Sequence, residues 1–405
     1  MNIIWITTQF PSSIKDTKGR FIYRTVKELS KHYSITVICL HSIVPPFLPM
    51  LKDFANARKI YKVWRQKYPK RPEAPKDLNA KVIFSKYIRL PRGKFHHLEG
   101  WFGYLSVNKH IKKIADENII IHATWLFPEG DLANIIFKKY NVPFLVTLMG
   151  SDVHFLMKGS KKWKKSKEII NNATFITSVS KALYNSLEGK NVFIPKHKKY
   201  LTHTVYDFNK FTVINKIYVR KKINLRENIK IVFYAGTLRS LKNVDVLIKS
   251  FKMLKKVNNI KLLIAGRGNE EGNLKKLVVE NNLEDSISFL GGLNGNELIN
   301  YYNASDVFCL PSKNEGLPNV IIESLLCGTP VVASSVGEIP FIIKENENGF
   351  LVPPNNIEEL AKKISRALNT TWNRDKLRKS VSFLSPENVL KEYQSIYYSI
   401  NKLIK

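Results

Sequence analysis

VFCLPSKNEGLPNVIIESLLCGTPVVAS, residues 307–334, reads as strand, loop, helix and strand in succession. VFCLP (307–311) and PVVAS (330–334) are short β-branched and apolar runs of strand length. Between them lies a loop, 312–317, and then a helix that Pro318 and Asn319 open and Gly328 and Pro330 close. A strand, a covering helix and a second strand make the unit of a parallel sheet. Two acids interrupt the unit. Glu315 lies just before the helix, and Glu323 sits inside it among Val320, Ile321, Ile322, Leu325 and Leu326. A carboxylate on so apolar a helix is costly unless it meets a partner or a ligand.

The same rhythm extends in both directions. IKIVFYAG (229–236), IKLLIAG (260–266) and ISFLGG (287–292) precede the unit, each followed by an amphipathic segment of helical length. The first half repeats the pattern with IIWITT (3–8), ITVICL (35–40), KVIFS (81–85), IIIHAT (119–124), PFLVTL (143–148) and TFITSV (174–179). This predicts two doubly wound α/β domains facing a cleft at the carboxyl ends of their strands, where such sheets bind ligands. The lysine-rich stretch 195–226 lacks clear periodicity and reads as the linker. PENVLKEYQSIYYSINKLIK (386–405) is a final helix with apolar Leu390, Tyr393, Tyr397, Ile400 and Ile404, long enough to return to the first domain. Residues 41–80, rich in proline, aromatics and bases, break the rhythm as an insertion and read as a recognition element.

Composition limits the class. With 405 residues and 44% hydrophobic content the chain can bury substantial cores. No run reaches the roughly 18–20 uncharged apolar residues of a membrane span. The start, MNIIWITTQF, lacks a basic region before its apolar run and reads as a first strand, which places the protein on the cytoplasmic side. Cys39, Cys309 and Cys327 lie in apolar segments without zinc spacing, as small packing residues of a reducing compartment do. The net charge of +32 calls for a polyanionic neighbour, nucleic acid or an anionic membrane face, unless compositional drift produced it.

The loop at 312–317 delivers backbone N–H groups and a positive helix end, which favour a phosphate. Carboxylates would repel that phosphate, so Glu315 and Glu323 are better placed to accept hydrogen bonds from hydroxyl groups on either side of it. A nucleoside diphosphate sugar has this layout. Glu315 and Glu323, set in S-x-x-E-G-L-P-x-x-x-x-E-x-x-x-x-G-x-P-V-V-A-S, together with YYNASDVFCLPS (301–312), the turn at Gly337, Glu338 and Pro340, and NGFLVPP (348–354), resemble the signature of retaining glycosyltransferase family 4. The members that build teichuronic acid and exopolysaccharides are the most similar.

That resemblance implies a GT-B fold. Residues 1–205, with 386–405 packed back on them, would be the acceptor side, and 206–385 would bind the nucleotide sugar. Glu315 would hold the transferred sugar beside the backbone of Gly316, Leu317, Pro318 and Asn319, and Glu323 would bind the ribose hydroxyls. In AGTLRSLKN (235–243) Lys242 matches the basic position for the diphosphate, while Thr237 stands where an arginine is common and Arg239 is the substitute. Gly19 falls in the glycine loop before the first helix, where a plain turn is nearly as good a reading. HATWLFPEG (122–130) and TLMGSDV (147–153) resemble acceptor loops, which makes His122 and Asp152 catalytic candidates alongside Glu315. His122 reads equally as a satisfied core histidine, and Asp152 also as a helix cap. No cofactor or metal is implied, since basic groups and helix ends carry the diphosphate charge.

The expectation is therefore a metal-independent enzyme of hexosyltransferase type, moving sugar from a nucleoside diphosphate donor to a growing, lipid-linked envelope glycan. An epimerase or phosphorylase of the same fold, or a basic nucleic-acid-binding protein, are the rivals. No nucleic-acid recognition motif supports the last. AGRGNEEG (265–272) has its third glycine one residue late for a dinucleotide fingerprint. KGSKKWKKSK (158–167) groups six lysines around Trp163 and reads as a surface for anionic lipid, with Lys161, Lys162, Trp163, Lys164 and Lys165 as its contacts. The protein would then be peripheral on the inner membrane face.

Overall fold

The computed structural model describes residues 1–13, 19–44, 53, 55–56, 58–59, 62–63, 74–89, 96–114, 118–254 and 259–404. Most of the insertion at 41–80, including eight of the twelve residues of ARKIYKVWRQKY, lies outside the described residues. The chain divides into two compact units, Met1–Tyr206 with Pro386–Lys405, and Asp207–Ser385.

The first unit is built on a seven-stranded parallel sheet in the order β3-β2-β1-β4-β5-β6-β7. The strands are β1 (Asn2–Thr7), β2 (Ser34–Ile43), β3 (Lys81–Ile88), β4 (Ile119–Thr124), β5 (Phe144–Leu148), β6 (Phe175–Ser178) and β7 (Lys199–Leu201). The central strands β4 and β5 are buried throughout because both faces are covered. Along β1, Ile4 and Ile6 enter one core with Ile121 and Val146, while Ile3 and Trp5 enter the other with Val37 and Ile120. The two-residue period of a strand thus splits one run of isoleucines between two cores. The final helix, Pro386–Ile404, closes the second of these with Val389, Tyr393, Ile396, Tyr397 and Ile400. Each such side chain, fully buried, stabilises by about 1.5–3 kcal/mol.

The second unit has a six-stranded parallel sheet in the order β10-β9-β8-β11-β12-β13. Its strands are β8 (Lys230–Ala235), β9 (Ile260–Ala265), β10 (Ile287–Gly291), β11 (Val307–Leu310), β12 (Val331–Ser334) and β13 (Gly349–Val352). Two parallel-sheet α/β units of Rossmann type are thus present, as the strand rhythm predicts. The stretch 195–226 is not a structureless linker. It holds β7, which pairs with β6 at the edge of the first sheet, and the helix Lys216–Lys222 of the second unit. The edge strand has three half-buried residues, too few for a periodic signal.

In each sheet the order turns at one place, between β1 and β4 and between β8 and β11. Loops leaving the two flanking strands there diverge to opposite faces and leave room for a ligand.

Candidate active site

In the second unit, the loops after β8 and β11 meet at the turning point of the sheet. Lys313 N donates to Leu241 O at 2.9 Å, which holds the two backbones together. The side chains then join: Lys242 Nζ lies 2.6 Å from Glu315 Oε1, which also accepts from Ser312 Oγ at 2.7 Å. Only 10% of the Glu315 side chain is exposed, so its charge is sheltered and paired. The question raised by an acid in this loop is answered in part by Lys242. Gly337 shows why a turn follows at 337–340: its φ is +56°, and a Cβ there would stand 1.9 Å from Glu315 O. Only glycine lets that backbone press against the loop. Glu338 N then donates to Gly316 O at 3.2 Å.

The loop leads into the helix Asn319–Leu326, whose first residue is preceded by Pro318 with no capping side chain. Gly316 and Asn319 are exposed, Leu317 is half-buried and Pro318 is buried. A Cβ on Gly316 would meet nothing within 4 Å, so the loop faces open space here. Glu323, half-buried on that helix, accepts from the hydroxyl of Tyr302 at 3.1 Å. Tyr302 is fully buried, and burial together with the Glu323 charge holds its phenol well above the ordinary range. It stays a donor and orients the carboxylate. Sequence reading missed Tyr302 and the role of Ser312, although the S-x-x-E spacing carries a signal for the latter.

Arg239 does not join this group. It is exposed and lines a separate hollow of about 370 Å³ with Asp245, Lys249, Glu270 and Lys313, in whose wall neither Lys242 nor Glu315 takes part.

In the first unit, a hollow of about 250 Å³ opens at the ends of β1, β4 and β5, lined by Thr8, Gln9, Trp125, Phe127, Asp152 and Lys162 among others. Asp152 holds its walls together, accepting from Leu126 N at 3.1 Å, Gly150 N at 3.0 Å and Met149 N at 3.3 Å. Burial raises its carboxyl above the usual range, against the pull of these donors. Glu129 is a residue the sequence reading passed over. It is fully buried, and its Oε1 accepts from Thr8 N at 2.7 Å, while Oε2 has no hydrogen-bond partner among the described residues. Burial pushes it up to about 8.

His122 is corrected. Its ring is fully buried, stacked 3.8 Å from the ring of Trp5, with Nδ1 2.8 Å from Tyr397 Oη and Nε2 2.6 Å from Thr147 Oγ1. Burial takes it down to about 3, so it is neutral, and both nitrogens are occupied. It is a core histidine that pins the last helix to the sheet. Gly19 also has an internal reason: with φ +68° it starts the helix Arg20–Leu29, and a Cβ would stand 2.4 Å from Gln9 O. The chain itself, not a phosphate, takes up that space.

From Lys161 on, the lysine run is a helix, Lys161–Asn172, capped by Ser160, and three of its five proposed lipid contacts face inward. Lys162 lies 5.2 Å from the centre of the Phe127 ring, and burial lowers it from the ordinary lysine value, with Glu99, Glu129 and Asp131 opposing the shift. Trp163 Nε1 donates to Lys190 O at 2.7 Å, and its ring packs on the core. Lys165 pairs with the buried Asp131 at 2.7 Å. Lys161 and Lys164 remain exposed.

Among the described residues, no helix is long and apolar enough to cross a membrane.

Residues 215–382 match the family described as Glycosyl transferases group 1. The chain is 26% identical over 377 residues to a Bacillus subtilis strain 168 protein named for teichuronic acid biosynthesis, the glycosyltransferase TuaC, with 90% of this chain and 89% of that one covered. Its fold is similar to sucrose-phosphate synthase from Thermosynechococcus elongatus, at TM-score 0.75, 20% identity and full coverage of both chains. It is also similar to Anabaena Alr3699/HepE, solved in complex with UDP, at TM-score 0.72 and 15% identity over 99% of this chain and 100% of that one. Residues 215–382 are therefore a group 1 glycosyl transferase domain, and the chain is a glycosyltransferase with the GT-B architecture.

Proposed function

We propose that the chain is a retaining, metal-independent transferase of family 4, which moves a sugar from a nucleoside diphosphate sugar to a growing, lipid-linked glycan of the cell envelope. The observation that carries this reading is the pairing of Lys242 with Glu315 beside an uncapped helix start. A cation and a positive helix end suit a diphosphate, and a sheltered carboxylate next to them suits the hydroxyls of the transferred sugar. Glu323, oriented by Tyr302, is the candidate for the ribose. The Anabaena structure with UDP supports a nucleoside diphosphate as the donor class. In the departing step the diphosphate gains negative charge as the sugar becomes cationic, so the Lys242 ammonium is worth most in the transition state.

In the first unit, the hollow with Trp125 and Phe127 is the proposed acceptor site, with Asp152 shaping its walls. The test is a panel of nucleoside diphosphate sugars scored by thermal stabilisation. A donor at 100 times its dissociation constant adds about 2.7 kcal/mol. If no sugar nucleotide shifts the melting temperature and none is hydrolysed, the reading is wrong.

A further inference from the structure

The loop between His154 and the helix Lys161–Asn172 carries two large apolar side chains that nothing covers: Phe155 is 84% exposed and Met157 is 73% exposed. Between them Leu156 is buried, so the loop is anchored by one residue and presents the other two. A second segment behaves in the same way. Val192 and Ile194 are buried, and Phe193 between them is 70% exposed.

Lys190 ties the two segments to one another. Its Nζ donates to Val153 O at 2.5 Å and His154 O at 3.0 Å, while its carbonyl receives the Trp163 indole at 2.7 Å. Exposed Lys158, Lys161 and Lys164 follow directly along the first segment, and exposed Lys196 follows the second. Isolated exposed apolar residues are common on proteins. Here three large ones stand on adjoining segments, set among lysines that no acid of the described residues pairs with in a salt bridge.

We propose that this face docks on an anionic lipid bilayer, with Phe155, Met157 and Phe193 entering the headgroup region and Lys158, Lys161 and Lys164 meeting the lipid charge. The charge complementarity selects lipid over a neutral partner, because apolar side chains at a basic rim gain both from leaving water and from the surface potential. Trp163, whose indole is committed to Lys190, takes no part. Phe155 also lines the hollow of this unit, so docking brings the bilayer to the mouth of the proposed acceptor site. The inference rests on the lipid-linked acceptor reading, and it names the surface that such an acceptor would require.

The experiment is flotation of the whole chain with vesicles of phosphatidylglycerol and phosphatidylcholine in about equal parts, against phosphatidylcholine alone. Binding is expected to the anionic vesicles only, and to be lost between about 0.1 M and about 1 M salt as the screening length falls from about 10 Å to about 3 Å. The pair Met157→Ser and Phe193→Ser lowers partition about tenfold or more, and Lys158→Glu, Lys161→Glu and Lys164→Glu together abolish it. Trp163→Phe leaves it as in the wild type. Donor hydrolysis in solution is measured alongside: the lysine variant retains it, so loss of flotation alone reports on the surface. Equal binding to neutral vesicles, or full binding by the apolar double variant, overturns the proposal. Failure to float with retained donor hydrolysis sinks this surface and leaves the glycosyl transfer standing. A soluble dimer that the double variant dissociates would instead assign the face to a second copy of the chain.

Discussion

Lys242 Nζ and Glu315 Oε1, on residues 73 positions apart, lie 2.6 Å from each other and join the loops on either side of the turning point of the second sheet. An ammonium placed so fixes the carboxylate oxygen in position by a charged hydrogen bond, and is itself positioned for an anion beside it. Because Ser312 shares the same oxygen, the carboxylate cannot rotate freely.

Glu315→Gln is expected to lower kcat by about 100-fold with a smaller change in donor affinity, since a group that positions the reacting sugar acts chiefly in the transition state. Lys242→Met leaves a sheltered carboxylate without its cation and costs about 1–3 kcal/mol of stability. Adding Glu315→Gln to it should return part of that loss. Steady-state kinetics and urea unfolding of the full cycle read both quantities, and strictly additive losses would show that the pair is not coupled.

Glu323→Gln should weaken donor binding with little change in kcat, and Tyr302→Phe should do so to a lesser extent by freeing Oε2. A loss of about fivefold in affinity corresponds to about 1 kcal/mol, the range of one hydrogen bond. Calorimetry with the nucleotide alone suffices. Unaltered binding in both variants would remove the nucleotide from this carboxylate.

His122 makes stability depend on pH on the acid side. Its folded value of about 3 lies below the ordinary 6.5, so between these limits the unfolded chain binds the extra proton and stability falls as pH is lowered. His122→Phe should be less stable at neutral pH by about 1–3 kcal/mol, through the partners lost at Tyr397 and Thr147, yet show a shallower decline in acid. Unfolding midpoints across the acid range test the slope, and an unchanged slope would contradict the neutral core histidine.

Glu129 acts in the opposite sense. Its folded value is raised from 4.5 to about 8, so its contribution is complete below the unfolded value and is lost as pH rises through about 8. One unit of such displacement is worth about 1.4 kcal/mol. Glu129→Gln, which keeps a neutral side chain, should therefore lose less stability than the wild type as pH rises from about 4.5 to about 8. Equal losses for the two proteins across that range would refute this.

Transfer activity is expected to survive EDTA, because Lys242 and the helix start at Asn319 would supply the positive charge that a divalent ion provides elsewhere. Loss of turnover on chelation, restored by manganese, would give that role to a metal.

What the sequence by itself determined is what neighbouring residues decide among themselves. IIIHAT at 119–124 is a strand with the bounds its composition predicts, and the helix after Glu315 starts and stops at its proline and glycine signals to within a few residues. Periodicity and end signals are local, so they survive without knowledge of the fold. The edge strand β7, of three residues, carries too little pattern to be seen and forms because an edge of the sheet is open to it. Burial and pairing are different in kind, since they depend on what arrives from far along the chain. His122 became a core residue because Tyr397, 275 positions away, reached its Nδ1, and Glu129 was set at its place by Thr8, 121 positions away. A lysine-rich helix turned Trp163 inward because Lys190 offered a carbonyl to its indole, leaving only the other face to water. Those choices follow from desolvation and hydrogen-bond satisfaction, which exist only once the sheets are assembled.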